Sequence, residues 1–234
     1  MDQKKTPFKP NPLRDKIIES DGISFKLWLE FEETCSWENL ENDFANIGVD
    51  MLDGRYYGIN IWTYQFLQTA IDYDKENNDN LHGLYQIPPD LFVKELTRDC
   101  IEKTIIDLLK QGNLEDVLNT SVFNLKFMEP YWDALEIEED HIQTLMNELK
   151  LELPPNHILY DKNVALIAKK TNNDDIVLEL EDNSIALVHL TWSAKQEATG
   201  FPITRIYKDA LHFWKNEMVE NVHSFQKEDK KQEN

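Results

Sequence analysis

Cysteine and glycine are both scarce in this chain, with two of the former (Cys35 and Cys100) and seven of the latter among 234 residues. The two thiols fall in unrelated segments with no C-x-x-C spacing, which disfavours a disulfide scaffold and suits a reducing compartment. So few glycines leave little material for backbone loops that cradle phosphates, and neither G-x-G-x-x-G nor G-x-x-x-x-G-K-[ST] occurs. A G-x-S-x-G nucleophile elbow is also missing, so hydrolase and nucleotide-enzyme chemistry lose their usual signatures. No run approaches 18 apolar residues, and Met1-Asp2-Gln3-Lys4-Lys5 leads into no apolar segment. Neither a membrane span nor a secretory leader is expected, and a cytoplasmic location is.

Basic residues are the other shortage: 24 Lys and Arg stand against 44 Asp and Glu, a formal net charge of -20. The imbalance is uneven along the chain, since residues 17 to 150 carry 28 acids against nine bases. Such a field repels nucleic acid and anionic lipid, whose binding requires Lys and Arg to neutralise phosphates. It would steer a basic protein into encounter instead. With 41% hydrophobic and 11% aromatic residues the chain nonetheless has ample material for a core.

The pattern of elements predicts an α+β protein of two small domains, each an antiparallel sheet packed against helices. Residues 1–22, with Pro7, Pro10 and Pro12, read as an arm; 23–153 as an acidic α+β domain; 154–225 as a small α+β domain; and 226–234 as a disordered tail. Within the first domain, Ile23, Phe25, Leu27, Leu29 and Phe31 alternate with polar positions as a half-buried strand requires. A second alternation, Ala45 to Met51, runs into Asp53-Gly54, a hairpin turn pair, and returns as Arg55 to Ile61. A helix from Trp62 to Ile71 should dissolve in the polar stretch Asp72 to Asn80. Thr97 is placed to cap a helix over Ile101, Ile105, Leu108 and Leu109 that stops at Gly112. A further helix through Leu145 and Leu149 ends at Pro154-Pro155, the expected domain boundary. Beyond it, Val164–Lys169, Ile176–Glu181 and Ile185–Trp192 read as a meander closed by an amphipathic helix, Ala210 to Phe225.

The densest polar cluster is Val188-His189-Leu190-Thr191-Trp192-Ser193, and with His157, Asp174, Asp175 and Glu197 it could assemble an acid-base or metal site. No H-x-x-x-H or H-E-x-x-H spacing places two ligands on one helical face, so a hydrogen-bonded structural histidine is the plainer expectation, and no metal or cofactor is called for. For binding, Trp28 lies on the polar phase of its strand and is flanked by Glu30, Glu32, Glu33 and Trp37, a mixture of aromatic and acidic groups suited to an interface.

The order of strand, Asp53-Gly54 hairpin and Tyr57-Gly58-Ile59-Asn60-Ile61-Trp62-Thr63 resembles, over about residues 23 to 110, a small bacterial immunity-protein family of polymorphic toxin systems, the one commonly numbered eight. The resemblance implies a cytosolic protein that neutralises a cognate toxin by direct binding. The second half, with His157-Ile158-Leu159-Tyr160, Asp174-Asp175-Ile176-Val177, the His189 to Ser193 segment and Phe201-Pro202-Ile203-Thr204, is similar to short uncharacterised bacterial proteins, and that likeness implies no activity. The leading expectation is therefore a protein-binding module for a basic partner, with no nucleic-acid or membrane binding. Alternatives are a small hydrolase or metal-dependent enzyme using His157 and His189, and an acidic mimic of nucleic acid.

Overall fold

The computed structural model describes residues 11–33 and 39–232, so Trp37, Cys35 and the first ten residues of the expected arm lie outside the described residues. The chain has two antiparallel sheets with helices, an α+β architecture, and divides into two compact units, Met1–Asn124 and Leu125–Asn234. The division falls well before Pro154-Pro155, because the helix Glu139–Glu152 buries Leu145 and Leu149 against Ile176, Leu178, Ala186 and Val188 of the second sheet. Moving the boundary also redistributes the charge: the first unit holds 23 acids against 12 bases and the second 21 against 12. The acidity is thus shared between the units.

In the first unit, strands β1 (Ile17–Ser20), β2 (Ile23–Leu29), β3 (Phe44–Asp50), β4 (Arg55–Thr63) and β5 (Leu91–Val93) lie in that order, with β6 (Phe123–Leu125) also on β4. The pairings are antiparallel from β1 to β4, and the short β4–β5 pairing is parallel. β1 corrects the expectation of an arm up to residue 22. Asp21 (φ 51°) and Gly22 (φ 81°) make a turn with two left-handed residues, which suits the twist of a tight hairpin and folds Ile17–Ser20 onto β2. The Asp53 hairpin forms as expected but with a longer connection, in which Leu52 and Gly54 take positive φ and Asp53 instead accepts hydrogen bonds from Arg55.

Period two puts Phe25, Leu27 and Leu29 on one face with Ile47, Val49, Tyr57, Ile59 and Ile61. Ile101 and Ile105 of the helix Arg98–Gln111 close this core, and burying side chains of this size stabilises by about 1.5–3 kcal/mol each. That helix starts and stops where expected, at Thr97 and Gly112. The helix Phe66–Asn77 runs well into the polar stretch Asp72 to Asn80 and ends inside it, at Asn78 in the left-handed conformation.

In the second unit the order is β11 (Ile203–Tyr207), β10 (Ile185–His189), β9 (Asp175–Leu180), β8 (Val164–Lys170), β7 (Tyr131–Asp133), all antiparallel. The expected meander is its centre. One face packs on the helix Glu139–Glu152; the other carries Lys170, Asp175, Arg205 and Tyr207, all near Glu217 of the C-terminal helical segment. That segment is Ala210–Phe213, then a π-helical turn Trp214–Met218, then Val219–Gln232. Residues 226–232, expected as a disordered tail, continue this helix. Among the described residues no helix is long and apolar enough to cross a membrane.

Candidate functional site

Cross-strand register brings His189 opposite Asp175, and His189 Nδ1 lies 2.8 Å from Asp175 Oδ1. Asp175 in turn meets Lys170 Nζ at 3.3 Å, and Lys170 meets Glu217 Oε1 at 3.2 Å and sits 5.2 Å from the centre of the Tyr131 ring. Glu217 also accepts from Tyr207 Oη at 2.8 Å and pairs with Arg205. Burial alone would raise the Asp175 and Glu217 carboxyls, but the hydrogen bonds from His189 and Asn173 on the first, and from Tyr207 and Lys170 on the second, outweigh it and hold both below their ordinary values.

These carboxyls bind protons more weakly folded than unfolded, so they favour the folded state wherever they are ionised. Their contribution is complete above the ordinary 3.8 of an aspartate and 4.5 of a glutamate and is lost as the pH falls through the lower folded values. Urea midpoints measured from pH 3 to pH 7 are expected to be flat above about pH 5 and to fall steeply below pH 4. A midpoint that rose on acidification would contradict this.

The remaining residues singled out for chemistry are each occupied separately. His157 Nδ1 accepts from the Leu159 amide at 3.1 Å, so its proton sits on Nε2, which donates to the Pro202 carbonyl at 3.1 Å. Nε2 is also 3.2 Å from Thr204, which pairs with Val188 and so lies on the opposite sheet face from His189. The two histidines therefore do not converge. Asp174 accepts from the Trp192 indole at 2.9 Å and Glu197 from the Thr191 hydroxyl at 2.6 Å. Among the described residues no group of three or more His, Cys, Asp or Glu is arranged to hold a metal ion.

The His189 to Ser193 segment is the end of a strand followed by a strapped loop. Glu152, fully buried, accepts from the Thr191 amide at 2.9 Å and the Trp192 amide at 2.6 Å, and Glu148 accepts from the Ala194 amide at 2.8 Å. The strap holds Trp192 and Ala194 at φ 54° and 52°, a conformation L residues adopt at some cost.

The carboxylates expected at an interface in the first unit are likewise engaged within it. Glu32 receives Arg98 Nε at 2.7 Å and Asn11 at 2.6 Å, Glu33 receives Arg14 at 3.4 Å, and Glu30 accepts from the Asn46 amide at 2.7 Å. Trp28 is half-buried and pairs in register with Gly48, over which Tyr56 lies, and its sequestered indole nitrogen has no hydrogen-bond partner among the described residues.

A different surface of this unit stands out. After the helix Phe66–Asn77, residues Asn80, Leu81, His82 and Gly83 all take positive φ, between 46° and 72°, forming one left-handed turn. Left-handed backbone costs L residues roughly 1–2 kcal/mol each, so something must hold it. Asp74 does: its Oδ2 accepts from Asn80 Nδ2 at 2.7 Å and from Gln86 Nε2, and its backbone carbonyl accepts from the Asp79 amide at 2.9 Å. Gly83 fits only without a side chain, since a Cβ would come within 2.7 Å of the Ile71 carbonyl oxygen. The clasped loop presents Leu81, Leu84, Tyr85 and Ile87 to solvent, at 70%, 78%, 51% and 74% exposure.

No family model, no curated protein and no solved structure matches this chain. The site therefore rests on its own geometry. Beside the loop lies a cavity of about 540 Å³ walled by Phe44, Trp62, Phe66 and Tyr73 and floored by Asp74 and Gln86. Phe66 packs on both Phe44 and Trp62, with ring centres 5.0 and 5.2 Å apart. Sequence pattern alone does not mark this surface, although Leu81, Leu84, Tyr85 and Ile87 place four large apolar side chains within a short polar-flanked stretch.

Proposed function

We propose that this chain is a protein-binding module that docks a basic partner through the Leu81–Ile87 loop, in the concrete form of a cytoplasmic immunity protein that neutralises a toxin by binding it. The observation that carries this is the set of four large apolar side chains held out to solvent by a strained, clasped turn, because exposed apolar groups on a fixed scaffold mark interaction sites. Charge complementarity supports a basic partner: the exposed Asp72, Glu76 and Asp79 precede the loop, with Lys75 as the one cation among them. The likeness of residues 23 to 110 to the immunity family supports the more specific form.

Affinity capture from the native lysate, repeated with Leu84→Glu/Ile87→Glu, tests the docking surface. Both side chains are exposed, so the variant is expected to keep the thermal stability of the parent to within about 0.5 kcal/mol while losing a basic partner that the parent retains. Equal capture by both proteins, or capture of no basic partner by the parent at low salt, would count against the reading. Co-expression with that partner then reports on neutralisation, since an immunity protein restores growth and its double variant does not.

A further inference from the structure

The aromatic cavity beside the loop carries a charge that an apolar ligand would not use. Asp74 is 7% exposed, yet among the described residues no Lys, Arg or His lies within ion-pair distance of it. Both amide donors that reach the carboxylate, from Asn80 and Gln86, go to Oδ2. Lys75, its neighbour on the helix, turns to Asp72 at 2.9 Å. A buried carboxylate is costly unless a positive charge or several donors compensate it. Around it, Phe44, Trp62, Phe66 and Tyr73 supply aromatic faces, and among the described residues no basic one lines the cavity. Ring faces attract cations, tryptophan most strongly, and the attraction grows as water is excluded. The volume falls within the range of small-ligand sites.

We propose that this cavity binds a small organic cation bearing an alkylated ammonium group, with the ammonium on the aromatic rings and Asp74 as its counter-ion. The ligand is a free small molecule, which goes beyond the docking reading. A strongly hydrated metal ion suits the site less well, because Asp74 is the one carboxylate among these lining residues, whereas an alkylated ammonium is weakly hydrated and matches both the aromatic wall and the single charge. Asp74 also clasps the Leu81–Ile87 loop, so an occupant of the cavity acts on the residue that fixes the docking surface.

The test is a titration of the ¹⁵N-labelled full chain with choline, set against 3,3-dimethylbutan-1-ol, its uncharged carbon isostere, and followed through the tryptophan indole resonances. Choline is expected to bind at least about tenfold more tightly than the isostere and to shift the Trp62 indole signal, which Trp62→Leu identifies by its disappearance. Trp62→Leu and Asp74→Asn are each expected to weaken choline about tenfold, with Asp74→Asn leaving the isostere unchanged. Trp62 is half-buried, so its replacement keeps the test valid even if Asp74→Asn unclasps the loop. Equal affinity for choline and isostere, saturation without a Trp62 shift, or no binding of choline would overturn the assignment. None of these results bears on capture by the loop, which is read separately.

Discussion

Lys170→Ala is expected to lower the stability of the protein by about 3–5 kcal/mol, the usual cost of removing one member of a buried ion network. Lys170 is 4% exposed and lies between Asp175 and Glu217, so its loss takes the shared buried cation from two carboxylates and leaves their desolvation to His189 and Asn173 on the one and to Tyr207 and Arg205 on the other. The ammonium also sits over the Tyr131 ring, 5.2 Å from its centre, and that attraction goes with the charge. Lys170→Met restores the stem but not the charge and is expected to recover little; adding Glu217→Gln to it should recover a substantial part, since one stranded charge is then gone. Urea unfolding of the full chain measures this series. A loss below about 1 kcal/mol for Lys170→Ala would show that water reaches the network and carries its charges.

Glu152→Ala is expected to cost about 3 kcal/mol, at hydrogen-bond values of roughly 1.5–3 kcal/mol per bond to a charged group. Two amides, of Thr191 and Trp192, then lose the buried carboxylate that accepts from both, and the turn at Trp192 loses what holds its left-handed backbone. The effect has a local signature besides the global one: exchange of the Thr191 and Trp192 amide protons should accelerate far more than that of β9 and β10. Glu148→Ala, which removes the single bond to Ala194, should do less. If amide exchange at Thr191 and Trp192 were unchanged, the strap would be held by something other than this carboxylate.

Much of the fold is legible in local pattern. The strand Ile23–Leu29, the hairpin after it, the Thr97-capped helix and the central meander each carry a clean period or a strong stop signal. What escapes is short or depends on distant partners. Asp21-Gly22 is the same dipeptide as Asp53-Gly54, but the strand before it has four residues and follows a proline-rich stretch, too little for alternation to register. β7 and β11, of three and five residues, exist because the sheet beside them supplies hydrogen bonds. The domain boundary was misplaced because Pro154-Pro155 marks the end of a helix, and a helix end carries no information about which sheet that helix covers.

The candidate sites divide in the same way. His189 and Asp175 were both singled out, and cross-strand register joins them, yet the same register sends His157 to the other face. Type and proximity in sequence suggested a cluster; alternation along β10 and β11 forbids it. The clasped loop was missed for a different reason. Its exposure follows from four successive left-handed residues and from a carboxylate six and twelve positions away, neither of which a hydrophobic pattern encodes.

The π-helical turn Trp214–Met218 has a consequence for how this chain tolerates change in length. A regular α-helix advances about 100° per residue, so the wide turn acts as one residue of slack between Phe213 and Val222, both of which are buried. Deleting a single residue within it takes up that slack, restoring regular winding while leaving Val222 near its present phase, whereas a deletion in the regular helix between the wide turn and Val222 has no slack to absorb and turns Val222 by about 100° out of its buried position. A deletion among His223 to Lys227, which bury little, leaves that phase intact. The segment thus absorbs a lost residue inside the wide turn and not between that turn and Val222.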